Sequence, residues 1–564
     1  MRFVLTEYLG SLKEDQELDS FLGELLKSMQ IIPATKIQRG RQYGVDLPAV
    51  GRDEDGIRKL FLFVIKQGNI SRRNWDSGNV NDIRPSIVEL LDVYIPTRIP
   101  KPYNTLPIKI IVCCNGEFET AVLENWTQFV NKNTTHELEF DYWDLHRLVN
   151  KAQLYQMQEE ILTPDLALNF RRALSFIDLP DYNLSHLYKF IQTLLPPKES
   201  QSLTDKQILK KLRLSNLCLS IIHSWCAKSN NLKPAYIASE RMILVTFKWL
   251  VGNDYVQKRN VWTVFYSLLQ NCRNLNHKYL EKAAQYFLIK DGLGVGISNH
   301  HEYCLVTFEQ IGIISTIGIF ELWECALALA QKDEAAAERA RYAFDNAEGI
   351  AKLLVKLIEN NTSSAEPRFD EHLIELNTGL ILLYETGIFG SAVKWLRETI
   401  DKVILNVKFG RFFPLLYTDI EKLNTEKAEN QESSLLAYFL SEWCLILRQS
   451  GYYHSLRQFL KEDFPKINLQ LWIPTSETDE FLYNDDASSK SGATMIGLEI
   501  PENHLKLEMH IAEERVLMND EKGFAYQKYF LSFMPFLASR HFRTYPFPNS
   551  WRGYLRTNFC FNES

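Results

Sequence analysis

The stretch that decides the fold runs from Lys36 to Trp75, KIQRGRQYGVDLPAVGRDEDGIRKLFLFVIKQGNISRRNW. Val45, Leu47, Ala49 and Val50 make a short apolar run behind a Gly-rich entry. Gly51 to Gly56, GRDEDG, is turn chemistry, with an Asp-Gly step at Asp55-Gly56. Leu60 to Ile65, LFLFVI, is wholly apolar and rich in aromatic and β-branched side chains. That length and composition predict a buried strand rather than a helix. The stretch therefore reads as two strands and a tight connection, with Asp46 in the first strand and Lys66 ending the second. A charged residue at the end of an apolar strand either marks where the strand surfaces or meets the carboxylate at one site.

Charge is unevenly spread around this pair. Lys36 to Arg73 carries nine basic residues (Lys36, Arg39, Arg41, Arg52, Arg58, Lys59, Lys66, Arg72, Arg73) against four acidic ones (Asp46, Asp53, Glu54, Asp55), in a chain of net charge −7. A basic patch around a buried carboxylate suits a phosphate-bearing substrate. A solvated basic face has the same composition. Within this stretch, the polar loop after Lys66 sets Arg72 and Arg73 beside Trp75, which together suit a nucleic-acid backbone and base, or a plain packing anchor.

Working outward, Leu18 to Met29 places Leu18, Phe21, Leu22, Leu25 and Leu26 on one helical stripe. Glu24 sits at the stripe edge, where it is either a site residue beside the sheet or an ordinary surface glutamate. Ile31 to Ile37 predicts a first strand with Pro33 at its entry. Ile83 to Tyr94 has helical spacing, with Pro85 tolerated in the first turn. Leu106 to Cys114 reads as a strand buried on both faces. Phe118 to Val130 is helical, and Glu137 to Trp143 alternates as an edge strand. The predicted order is helix, three strands, helix, strand, helix, strand.

These residues resemble the PD-(D/E)xK restriction-endonuclease-like superfamily, its Mrr-type branch above all: a helix glutamate, then R-G-x-x-x-G-x-D from Arg39 to Asp46, then an apolar strand ending in lysine. The resemblance covers roughly residues 10 to 150. It implies an α/β N-terminal domain with a central mixed sheet flanked by helices. Residue by residue, it implies Glu24 as the helix glutamate, Asp46 as the metal-binding aspartate and Lys66 as the lysine. The family's second acid belongs two residues before the lysine, where this chain has Val64. The implied activity is hydrolysis of DNA phosphodiester bonds with Mg2+ or Mn2+ on Asp46 and Glu24. With Val64 where the acid belongs, the second ligand oxygen is expected from Glu24 or from the backbone carbonyl of Ile65, and Arg39, Arg41, Arg72, Arg73 and Trp75 are expected to face the DNA. Nuclease domains of this kind fused to long helical regions resemble bacterial anti-phage defence effectors. That implies regulation by the helical region, a homo-oligomer, and an ATPase or sensor protein encoded alongside. Val64 argues for a second reading, a non-catalytic helical interaction or scaffold protein carrying a degenerate nuclease-like domain.

At 564 residues the chain has length for two to four domains with sizeable cores. The expected boundaries are 1–155 for the nuclease-like domain, 156–204 for a helical linker, 205–470 for a large all-α region of irregular helix pairs, and 471–564 for an acidic loop and closing helical segment. From about Leu162 onward helical periodicity replaces strand signals, and no fixed repeat period appears. Thr475 to Thr494 is acidic and Ser-rich and reads as a long loop; Asn503 to Met518 and Glu521 to Ala538 read as two helices. Nine scattered cysteines without C-x-x-C spacing predict a reduced compartment, and the N-terminus lacks a signal-peptide pattern. The apolar run Ile311 to Phe320 is too short to cross a bilayer and reads as a buried core helix. A cytoplasmic protein without membrane contact is the expectation. His300, His301 and Cys304 stand together in HHEYC but fall short of a zinc set; Cys325 is the nearest further ligand in sequence. Gly292, Gly294 and Gly296 follow a helix rather than a strand, so they fail the context of a dinucleotide loop.

Overall fold

The computed structural model describes residues 2–34, 43–80, 82–157, 162–177, 179–331, 333–409, 433–463, 465–473, 493–502, 506–507, 524–545, 552 and 554. The chain divides into two compact units, Met1–Asn271 and Cys272–Ser564. The helices from 164 to 252 thus group with the sheet-bearing residues before them.

The first unit opens with helices α1 (Arg2–Gly10) and α2 (Asp19–Ser28), followed by β1 (Ile32–Pro33), β2 (Leu47–Arg52) and β3 (Arg58–Lys66). Next come α3 (Arg72–Trp75), α4 (Ile83–Glu89), α5 (Ile95–Arg98), β4 (Ile108–Cys114), α6 (Thr120–Asn133), β5 (Leu138–Trp143) and α7 (Leu145–Tyr155). The strands form one mixed sheet in the order β1-β2-β3-β4-β5. β1 and β2 pair antiparallel, as do β2 and β3, while β3–β4 and β4–β5 are parallel. Order and type of element follow the sequence reading, with β5 at the sheet edge. The expected first strand is cut to Ile32–Pro33, with Ala34 N–H donating to the Pro48 carbonyl; its remainder falls in 35–42, outside the described residues.

β3 is the spine. Leu60 to Ile65 are all at most 1% exposed. At about 1.5–3 kcal/mol for each large apolar side chain removed from water, these six contribute on the order of 10 kcal/mol before chain entropy is subtracted. Because strand side chains alternate, Leu60, Leu62 and Val64 face one core, with Ile110, Val112, Ile83, Ile87 and Trp126. Phe61, Phe63 and Ile65 face the other, where Phe63 meets the Trp143 ring edge-on at 5.2 Å.

α8 (Pro164–Ile177), α9 (Ser185–Leu194), α10 (Asp205–Lys228) and α11 (Lys233–Gly252) follow, and α12 spans Val261–Phe287 as one helix. Beyond Asn271 lie α13 (His300–Leu329), α14 (Glu334–Asn360), α15 (Leu373–Glu385), α16 (Phe389–Lys408), β6 (Ser433–Ser434), α17 (Leu436–Ile446), α18 (Ser450–Glu462), β7 (Asn468–Ile473), β8 (Ala493–Leu498), α19 (Ala525–Lys528) and α20 (Met534–Phe542). α14 buries Ala336, Ala340, Ala343, Ala347 and Ala351, a small-residue stripe at helical spacing, and α13 and α14 pack along their lengths. Gly318 of α13 lets α15 approach: a Cβ there would stand 2.5 Å from Leu382 Cδ2.

One expectation needs correction, and the buried core helix expected at Ile311–Phe320 is borne out within a longer element. The C-terminal unit is not wholly helical, since β6-β7-β8 form a three-stranded sheet. The apolar run Ile311–Phe320 lies inside a 30-residue helix, α13, which is long and apolar enough by composition to cross a membrane. Of its most apolar window, 78% is buried inside the protein, so the physical reason for its hydrophobicity is the core around it. Most of Thr475–Thr494 and of the helix expected at Asn503–Met518 falls outside the described residues.

Candidate active site

β3, β4 and β5 run parallel, so their carboxyl ends share one edge of the sheet. β2 runs the other way, so its beginning reaches the same edge. In open α/β sheets that edge is where ligands bind. Asp46 precedes β2 and Lys66 ends β3, and the hairpin register brings them together: Leu47 pairs with Phe63, and Asp46 N–H donates to the Phe63 carbonyl at 2.9 Å. The Asp46 carboxylate then accepts the Ile65 backbone N–H on Oδ2 at 2.7 Å. Burial pushes the Asp46 carboxyl above the usual aspartate range and Glu14 adds to this, while the Ile65 N–H and the Lys66 ammonium oppose it.

The second carboxylate is Glu14, which sequence reasoning missed. Its Oε1 lies 3.4 Å from Lys66 Nζ, and its Oε2 accepts the Gln67 backbone N–H at 3.1 Å. Glu14 opens a single π turn, Glu14–Leu18, closed by Leu18 N–H donating to the Lys13 carbonyl five residues back. Such wider turns recur at functional sites. Just past β4, Asn115 pins the site from beneath. Its Oδ1 accepts the Gly68 N–H at 2.7 Å, and its Nδ2 donates to the carbonyls of Leu9 and Leu12. The loops 67–69 and 115–117 touch here, and a Cβ on Gly116 would stand 2.3 Å from the Gly68 carbonyl carbon. Asp82 also feels Lys66, but its Oδ2 is taken up by the N–H of Ser77, the hydroxyl of Ser77 and the N–H of Asn79.

Glu24 is not brought to this edge. Its carboxylate pairs with Lys27 at 2.6 Å and accepts the Ser267 hydroxyl at 3.4 Å. The reason is its position in α2: Phe21, Leu22, Leu25 and Leu26 turn inward, which leaves Glu24 facing helical neighbours rather than the strand ends. Val64, two residues before Lys66, is buried in the α4/α6 core, and β3 carries no acid along its length. Ile65 gives its N–H to Asp46; strand alternation turns its carbonyl to the same side as that of Phe63, toward β2.

The expected DNA-facing residues divide. Arg72 and Arg73 are exposed on α3. Trp75 is 5% exposed and packs edge-on against Trp126 at 6.1 Å and Phe129 at 5.7 Å, so it anchors α3 and cannot stack on a base. Arg39 and Arg41 lie outside the described residues. The basic patch also comes apart in space. Lys59 is seven residues from Lys66, about 23 Å along an extended strand. Its ammonium is enclosed by Asp55 at 2.6 Å, Glu139 at 2.8 Å and Asp53 at 2.9 Å. Burial works against that charge, and the three carboxylates outweigh it, holding Lys59 above the usual lysine range.

The chain matches no protein-family model, no curated protein and no solved structure.

Proposed function

We propose that the first unit is a metal-dependent deoxyribonuclease built on a restriction-endonuclease-like arrangement, with Asp46, Glu14 and Lys66 as its working groups. The observation that carries this reading is their convergence: two carboxylates and one ammonium at the carboxyl ends of the parallel strands, held by backbone N–H groups of Ile65 and Gln67. The donor set fits Mg2+ or Mn2+, since carboxylate oxygens of Asp46 and Glu14, with the Ile65 carbonyl on the same side, are hard ligands. A bound divalent ion would supply Lewis acidity and an activated water. Lys66 would carry its charge to the phosphate oxygen that turns negative as the bond breaks. Glu14 would position that ammonium and share the ion with Asp46. Asp46 sits where burial disfavours its ionised form, and the Ile65 N–H and the Lys66 ammonium offset this, as a bound cation would. Arg72 and Arg73, one short loop beyond Lys66, would hold the DNA backbone.

The test is single-turnover cleavage of a labelled duplex by wild type and by Lys66→Ala. Cleavage in Mg2+ or Mn2+ that disappears in Lys66→Ala while duplex binding persists supports the reading. Val64, buried two residues before Lys66 where the family's second acid belongs, favours a second one: a DNA-binding or scaffold module without cleavage. Duplex binding with no cleavage in either metal would select that alternative.

A further inference from the structure

The second unit brings together a ligand set that HHEYC alone left incomplete. His300 and Cys304 stand one turn apart at the start of α13, a spacing that puts both on one helix face. The third group is Glu366, from the segment between α14 and α15. His300 Nε2 lies 2.7 Å from Glu366 Oε2 and 3.8 Å from Cys304 Sγ. The three ligand atoms all lie within 4.8 Å of one another. Tetrahedral zinc, with bonds of about 2.0–2.3 Å, sets its ligand atoms about 3.3–3.8 Å apart. Closing on an ion therefore asks for shifts of about an ångström.

The surroundings orient this set. Glu366 Oε1 is held by Asn406 Nδ2 at 3.2 Å and by Arg368 at 3.4 Å, which turns Oε2 toward His300. Buried Arg368 also donates its Nε–H to Cys304 Sγ at 3.4 Å, so one guanidinium fixes both the sulfur and the carboxylate. Arg368 is in turn placed by His372, whose Nδ1 accepts the Arg368 backbone N–H at 3.0 Å and whose ring stacks on Phe308 at 4.2 Å. Partners that hydrogen-bond ligating groups are what set ligand orientation in metal centres. Cys304 and Glu366 are buried, whereas the His300 side chain is 53% exposed and leaves one side open to solvent.

We propose that His300, Cys304 and Glu366 bind a borderline-soft divalent cation, zinc above all, with water in the fourth position. A thiolate and an imidazole select zinc or cobalt over the hard ions suited to Asp46 and Glu14. Three protein ligands and one open position is the pattern of a reactive or exchangeable zinc site rather than a closed structural one. Binding releases the Cys304 thiol proton, and a ring proton from any imidazolium, because both groups must ligate deprotonated. The inference stands apart from the nuclease reading, since it uses other residues and another metal.

The test loads chelator-stripped full-length protein with Co2+. One equivalent should bind with a thiolate-to-cobalt charge-transfer band and intense visible bands, and an equivalent of zinc should displace it. Cys304→Ser should lose the charge-transfer band. His300→Ala, at a half-exposed position where the fold tolerates truncation, should lose at least about tenfold in affinity with an unchanged melting temperature before metal is added. Cys325→Ser should leave the spectrum intact. Cobalt bound without the charge-transfer band, the band surviving in Cys304→Ser, or the band lost in Cys325→Ser would overturn the proposal.

Discussion

Replacing Glu14 by Gln separates the site drawn from the structure from the one implied by the sequence. The Glu14–Lys66 pair spans 3.4 Å between side chains that are 43% and 21% exposed. A pair that open to solvent is worth about 0–1 kcal/mol. The substitution also keeps an amide oxygen to accept the Gln67 N–H, the second bond Glu14 makes. Stability should therefore fall by less than about 1 kcal/mol, at most a few degrees of melting temperature for a unit of this size. Activity should respond very differently. Supporting partners of metal ligands typically cost 10–100-fold when removed, so a direct carboxylate ligand should cost at least about that much. The assay is metal-dependent cleavage of a labelled duplex, with thermal unfolding of the same samples. Glu24→Gln is the control: it breaks an i,i+3 pair worth about 0.2–0.5 kcal/mol and should leave cleavage unchanged. Cleavage lost in Glu24→Gln and retained in Glu14→Gln would refute the assignment.

Three further outcomes follow from the same geometry. Trp75→Ala should cost about 3–5 kcal/mol in chemical denaturation, since it empties an aromatic cluster; a loss under about 1 kcal/mol would put the ring on the surface. Asp46→Asn should become progressively more stable relative to wild type as pH rises. The folded-state carboxyl of Asp46 is raised, so its favourable contribution is complete below the unfolded value of about 3.9 and is lost as pH climbs through the folded one. A melting-temperature difference that stays flat or shrinks with pH contradicts this. Reversing charge at both Arg72 and Arg73 should weaken duplex binding and make the slope of log affinity against log salt shallower by about 1.8; an unchanged slope removes them from the DNA path.

The hairpin and its neighbours were legible because their signals are local. LFLFVI is too short and too apolar for anything but a buried strand, GRDEDG is turn chemistry, and LPIKIIVCC repeats the first pattern. Asp46 and Lys66 come together because antiparallel pairing across a five-residue turn fixes their register. Glu14 was not legible, because what brings it to Lys66 is a π turn ahead of α2, a detail of backbone winding that side-chain periodicity does not report. Periodicity placed Glu24 correctly at a stripe edge but could not say what that edge faces. Charge counting misled for a similar reason: Lys59 and Lys66 are neighbours in sequence and lie at opposite ends of β3. In the second unit, Ile467, Leu469, Leu471 and Ile473 alternate at period two, a strand signal available in the sequence and overridden by the helical pattern before it. Glu366 stands 62 residues from Cys304, and only the packing of α13 against the segment after α14 unites them.

The central claim is that Asp46, Glu14 and Lys66 form a working metal-dependent nuclease site. Its most direct test is incubation of the purified full-length protein with supercoiled plasmid in Mg2+, in Mn2+ and in chelator, with Asp46→Asn run in parallel. The account predicts nicked or linear DNA from wild type with either metal, and intact plasmid with chelator or with Asp46→Asn. Intact plasmid from folded wild-type protein in both metals, or equal cleavage by Asp46→Asn, would contradict it.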